Sequence, residues 1–189
     1  MAPRPRERIL AAATRLFSEE GIHATGVDRV ITEAGVAPMT VYRHFAGKDE
    51  LVTATLERWS EQWLGWLRSE AGGDDARARL EGLWDALEKW FADEGFHGSY
   101  VANVANELRA KPGHPAQATV AAHRAALREL LGELATAAGV PSPAEAAFAL
   151  HTLIDGATAV AVIDRQPGAA ASARAMAAAV LAEPALAGR

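Results

Sequence analysis

Apolar residues recur along this chain at helical spacing. Ile9, Leu10, Ala13, Leu16 and Phe17 form one stripe at steps of three and four, and Gly21 ends it. Thr25 is a good N-cap, and Asp28 three residues later gives a start resembling a capping box. Val27, Val30, Ile31 and Ala34 then occupy i, i+3, i+4 and i+7 of a short helix. Gly35 falls at the C′ position of that helix, where a positive φ suits glycine. Val36 and Ala37 make the turn. Pro38 opens a second short helix, at the position where a missing N–H costs nothing, and that helix runs to about Phe45. Gly47, Lys48, Asp49 and Glu50 start a longer helix, with acids in the first turn to suit the macrodipole. It carries Leu51, Leu56, Trp59, Trp63, Trp66 and Leu67 before Gly72 and Gly73 break it.

Five more helices are predicted, over residues 75–93, 99–110, 115–138, 143–164 and 168–182. The first places Leu80, Leu83, Trp84, Leu87 and Phe91 on one face, and the second ends at Lys111, Pro112 and Gly113. The fourth opens with Ser142, Pro143, Ala144 and Glu145, a capping box with proline at N1. The fifth follows a turn at Gln166, Pro167 and Gly168. There is no run of alternating β-branched residues and no internal repeat. The expected class is all-α, with about nine helices. Alanine, the strongest helix former, dominates the second half and lets helices pack closely.

The 189 residues are enough for a sizeable core, and the absence of cysteine removes disulfide and thiolate chemistry. The N-terminus lacks the apolar run of a signal peptide. No segment approaches the ~18 uncharged apolar residues of a membrane span. A soluble, cytoplasmic protein with no membrane partner is expected. The net charge of -5 argues weakly against nucleic acid. Yet residues 1–58 hold as many Lys and Arg as Asp and Glu, so the whole excess lies further on. A DNA-binding surface needs local positive charge, not a basic chain. Arg4, Arg6, Arg8 and Arg15 begin the chain with only Glu7 among them. They form either a solvated tail or an arm that contacts phosphates.

Residues 27–45 carry the constellation of most interest. The first of the two short helices is too thin in apolar area to be useful alone. Crossing a second helix at ~90–120° around a glycine turn gives helix-turn-helix geometry, whose second helix enters the major groove. Pro38, Met39 and Thr40 would lead into the groove. Val41 and Phe45 share a face that points to the core, which leaves Thr40, Arg43 and His44 opposite. Tyr42 and Lys48 are positioned for phosphates, and Thr25 offers a hydroxyl at a helix N-terminus.

With these residues in place, 6–55 resembles the DNA-binding domain of the tetracycline-repressor family. The likeness rests on the first stripe, Thr25 with Val27, Ala34-Gly35-Val36, the run Thr40 to Phe45, and Lys48 to Leu51. It implies a DNA-binding domain over residues 1–50 and a helical ligand-binding and dimerisation domain over 51–189. It also implies phosphate contacts from Thr25, Tyr42 and Lys48, and groove contacts from Arg29, Pro38, Met39, Thr40, Arg43 and His44. The partners implied are double-stranded operator DNA, a second copy of the chain and a small-molecule effector. Two positions depart from the family pattern: Ala37 stands where a capping Ser or Thr is common, and Ile31 replaces a usually small residue.

The resemblance further implies that the later helices form a ligand chamber and a dimer interface. Residues 144–164 are apolar nearly all round, as a buried helix is. With residues 168–182 they would form half of a four-helix bundle across a two-fold axis. The candidate interface is Leu150, Leu153, Ala157, Val160, Ala161, Ala173, Met176, Ala177 and Val180. Two-fold symmetry would set the recognition helices about 34–36 Å apart, one turn of DNA. For the chamber, Trp63, Trp66, Trp90, Phe96 and Tyr100 are a candidate aromatic wall, with Asn103, Glu107, His123, His151 and Asp155 as polar groups. Each has a plainer reading as core. The helix at 48–70 would carry a ligand-driven tilt from chamber to DNA.

Two other readings remain open. One is a DNA-binding scaffold that answers to a protein partner or to nothing. The other is a helical hydrolase. Against the second, there is no His-Glu-x-x-His, no glycine-rich phosphate loop, and no serine elbow to complete His151 and Asp155. No metal or cofactor is expected.

Overall fold

The computed structural model describes residues 3–166 and 168–182, so Pro167 of the expected turn lies outside the described residues. Among them the chain forms nine α-helices and no strand. These are α1 (Pro5–Glu19), α2 (Val27–Ala34), α3 (Pro38–His44), α4 (Lys48–Glu70), α5 (Ala76–Phe91), α6 (Tyr100–Glu107), α7 (Ala116–Ala137), α8 (Pro143–Ile163) and α9 (Ala169–Ala182). They divide into two compact units. One comprises residues 1–62 and 100–123, the other 63–99 and 124–189.

The first unit is built on the α1 stripe. Ile9, Ala13, Leu16 and Phe17 are buried with Val30, Val41, Leu51 and Leu56, and Tyr100, Val101 and Val104 of α6 close the same core. Each large apolar side chain so buried contributes about 1.5–3 kcal/mol. Polar groups inside this unit are paired. The Thr55 and Tyr100 hydroxyls lie 2.9 Å apart, and Ser60 Oγ lies 2.8 Å from His123 Nδ1. Burial pushes the Tyr100 phenol well above its ordinary pKa, and the bond to Thr55 only partly offsets this.

Helix α6 is shorter than the expected 99–110. It stops at Glu107 because Pro112 bars helical geometry just ahead, and the chain tightens into a Lys111 N–H to Leu108 carbonyl turn at 2.8 Å. The Gln117 side chain donates to the same Leu108 carbonyl at 3.0 Å.

In the second unit Asp75 caps α5, accepting from the Ala78 N–H at 2.8 Å. A Cβ at Gly82 would sit 2.6 Å from the Gly72 carbonyl, so glycine lets α5 pack against the break after α4. Helices α8 and α9 pack along each other. Ser142 occupies the N-cap of α8 and Pro143 its first position, but the serine side chain makes no capping bond. By length and a mean hydropathy of 1.7, α8 could cross a bilayer, which the count of uncharged residues did not credit. Asp155 midway along it pairs with Arg124 of α7 at 2.9 Å, and one face of the helix is buried within its unit. A charge at mid-helix argues against a span.

Candidate nucleic-acid interface

Helices α2 and α3 are joined by three residues. Gly35 takes the left-handed conformation at φ 59°, its N–H bonding to Thr32 O and that of Val36 to Ile31 O. Val41 and Phe45 are buried, as their spacing requires. The opposite side of α3 is open: Pro38, Met39, Tyr42 and Arg43 are exposed, with Met39 at 77%. Thr40, His44 and Lys48 flank this face half-buried. A seven-residue helix thus presents a thioether, a phenol and a guanidinium on one exposed face. That face suits a groove lined with hydrogen-bonding base edges and methyl groups.

Two expectations are corrected nearby, for Thr25 and for the arginine arm. Thr25 does not cap α2. The N-cap is Gly26, and Thr25 is fully buried with its Oγ1 donating to the Gly21 carbonyl at 2.8 Å. The hydroxyl closes the turn after α1 and is not presented to a phosphate. Arg29 is exposed but holds Glu20 at 3.0 Å. The arginine arm is also thinner than its sequence: Arg15 is paired with Glu19 and Glu33, and Arg8 turns inward to the carbonyls of Ala34 and Gly35. Arg4 is exposed, and the Arg6 guanidinium lies 5.5 Å over the Phe45 ring.

The ten candidate chamber residues fall into separate groups. Trp63, Trp66, Trp90 and Phe96 pack ring on ring in the second unit, with centroids 5.0–6.5 Å apart. Tyr100 and His123 belong to the first unit and both pack on Trp59. Asn103 is half-buried on α6. Glu107 is a structural ligand of the chain itself: its carboxylate accepts the N–H groups of Ile22 and His23, each at 2.9 Å, and lies 3.0 Å from His23 Nδ1. A second tie went unnoticed in the sequence. Buried His114 accepts the Ala116 N–H at Nδ1, so its Nε2 carries the proton that points to Asp49 at 3.3 Å. An open groove of about 370 Å³ between α1 and α4, lined by Arg6, Glu7, Leu10, Ala54, Glu57, Arg58 and Glu61, contains none of the ten.

His151 is buried on α8, 3.7 Å from Asp155. Burial pushes its imidazole below the ordinary pKa, Asp155 opposes this, and Arg124 and Arg128 reinforce it. The unfolded chain therefore takes up a proton below about pH 6.5 that the folded chain resists. Stability should fall as pH drops from 6.5 towards 5. His151→Gln should flatten that slope in thermal melts at pH 7.5 and 5.5; an unchanged slope would assign the loss to other groups.

Five of the candidate interface residues, Leu150, Ala157, Ala161, Ala173 and Ala177, are buried inside the second unit. They build the core of that unit and not the surface a second copy would meet. Leu153 and Val180 are half-buried, and Val160 and Met176 are exposed. The open stripe of α8 runs instead through Phe148, Thr152, Gly156, Ala159, Val160 and Ile163.

Residues 9–55 match the family model for bacterial regulatory proteins of the tetR family. The transcriptional activator FasR of Mycolicibacterium smegmatis is 32% identical over 88 residues, 44% of this chain and 40% of that protein. The regulator LmrA of Bacillus subtilis is 40% identical over 57 residues, 30% of each chain. The chain thus spans less than half the length of these curated relatives. A solved TetR-family transcriptional regulator from Streptomyces coelicolor superposes with a TM-score of 0.85 at 31% identity, over 94% of this chain and 88% of that one. NemR of Escherichia coli in its reduced form has a TM-score of 0.83 at 21% identity, over 95% and 99%, a likeness of fold alone.

Proposed function

This chain belongs to the tetracycline-repressor family of transcriptional regulators, and on that basis we propose that it is a homodimer that binds a near-palindromic operator through α3 and releases it when a small molecule binds. One observation carries the reading. Among the described residues, the large apolar side chains left exposed are Met39 and Tyr42 on α3, and Phe148, Val160, Val162, Ile163 and Met176 on α8 and α9. Exposed apolar patches mark places where something docks. The first patch adjoins Arg43 and suits DNA. The second is a stripe on two packed helices and suits its own copy across a two-fold axis. Met39, Tyr42 and Arg43 read or flank bases, Pro38 and Thr40 lead into the groove, and His44, Lys48 and Arg29 supply the edge.

The effector reading is supported by the aromatic group at Trp63, Trp66, Trp90 and Phe96, of which Trp63 is buried and the other three are half-buried. Helix α4 is continuous from Lys48 to Glu70, so a shift at its tryptophan end reaches the residue beside α3. An effector acts only through unequal affinity for the two shapes. The protein would work in the cytoplasm, with no catalytic role.

The test is to sequence genomic fragments retained by the purified protein and to measure affinity for one of them against salt. The expected result is an inverted repeat, bound with a log–log salt slope of several units. Affinity indifferent to salt, or no retained fragment at low ionic strength, would overturn the reading. Small molecules that raise the melting temperature should release the fragment; none doing so would favour a protein partner.

A further inference from the structure

We infer that Arg8, on α1, is a positioning residue that pins the α2–α3 turn and so aims the recognition helix. The inference rests on the DNA-binding reading above. A helix ends with orphan carbonyls. In α2 those of Ile31 and Thr32 are taken by the N–H groups of Val36 and Gly35. Further along, Arg8 Nη2 donates to the carbonyls of Ala34 and Gly35, at 2.6 and 2.7 Å. Its cation also sits at the negative end of the α2 dipole.

Besides the Gly35 and Val36 N–H bonds and the packing of Val36 on the core, the turn has few ties. Ala37 at the N-cap of α3 provides no side-chain bond. What remains is the fixed φ of Pro38 and the Thr40 N–H to Ala37 carbonyl bond at 2.8 Å. The Arg8 guanidinium only donates, so it does not replace that cap; it holds the turn from the other side, through the carbonyls that end α2. The fit is close: a Cβ at Gly35 would lie 2.9 Å from Arg8 Nη2, so glycine there serves both the left-handed backbone and the approach of the arginine. The sequence invites a different role for Arg8, as one of four arginines in a phosphate-seeking arm.

Salt dependence separates the two roles. Each phosphate contact contributes about 0.9 to the slope of log affinity against log salt, whereas a residue that aims a helix contributes nothing. The probe is a labelled duplex of a genomic fragment retained by the wild-type chain. Arg8→Ala is expected to bind it about tenfold more weakly with an unchanged slope. In the free protein, amide exchange at Gly35, Val36 and Thr40 should quicken while Leu16 and Phe17 in α1 stay protected. Arg8→Lys, with the charge but no planar group, should recover part of the affinity. Lys48→Ala, at a position read as a phosphate contact, serves as the comparison that loses slope. A shallower slope for Arg8→Ala would make Arg8 a phosphate contact and overturn the inference. Exchange quickened throughout the first unit would make it a general stabiliser, and unchanged affinity and exchange would make the bond idle. If the wild-type chain retains no DNA, the functional reading itself fails, while exchange still reports whether Arg8 holds the turn.

Discussion

Replacing Phe148 and Ile163 together with aspartate is expected to leave a folded monomer that binds its operator about a thousandfold more weakly. Both side chains are largely open, at 65% and 77%, so neither carries the fold of its own unit. They lie fifteen residues apart on one stripe of α8, about 22 Å along the helix. Two carboxylates per copy, facing their counterparts across a two-fold axis, would have to be desolvated beside like charges. Operator binding depends on that axis because one short recognition helix reads too few bases to hold DNA specifically. Two helices joined in one body act at high effective concentration, and uncoupling them returns each to the weak, non-specific regime. Sedimentation should give the monomer mass, with a helical spectrum and melting temperature near those of the wild type. A double variant that still sediments as a dimer would move the interface off this stripe. A monomer that keeps full affinity would remove the need for two copies.

The position of that stripe was the least legible part of the sequence. Residues 144–164 are apolar nearly all round, so periodicity carried no information about which face turns outward. The sequence pointed to Leu150 and passed over Phe148, and packing buried the first and left the second open. The helix-turn-helix was legible because its signals are local and chemical. Gly35 permits the left-handed step, Pro38 fixes the start of α3, and Val41 with Phe45 declares the inner face. Thr25 shows where local chemistry misleads. A threonine ahead of a short apolar stripe reads as an N-cap, but the Gly21 carbonyl, four residues back, lay within reach and took the hydroxyl. Arg8 and Glu107 illustrate a second failure. Their partners lie 26–27 and 84–85 residues away, and no spacing rule connects an arginine in a basic arm or a glutamate on α6 to those backbone groups.

Glu107→Ala is expected to cost about 2 kcal/mol and to lower the melting temperature by several degrees, through a residue of α6 that the sequence had assigned to a ligand. The carboxylate binds two successive backbone N–H groups, of Ile22 and His23, and the His23 ring. Gly21 just before them has φ 87°, and a Cβ there would lie 3.3 Å from Glu107 Oε1, so the loop after α1 is folded around the carboxylate. Without it two N–H groups lose their acceptor in a loop that cannot re-form a helix. The pH dependence provides a second readout. Burial alone would raise the Glu107 pKa, but the bonds from Ile22 and His23 outweigh it and hold the group below its ordinary value. The carboxylate therefore stabilises the fold fully above the unfolded value of about 4.3 and loses that contribution as pH falls through its folded value. The gap between wild type and Glu107→Ala should persist down to the unfolded value and narrow as pH falls below it. Glu107→Gln, which keeps one acceptor without charge, should fall between them at neutral pH. Amide exchange at residues 22 and 23 should quicken in the alanine variant before any other part of the first unit responds. If those amides keep their wild-type protection, the bonds at 2.9 Å do not hold the loop, and α6 is tied to α1 by its apolar face alone.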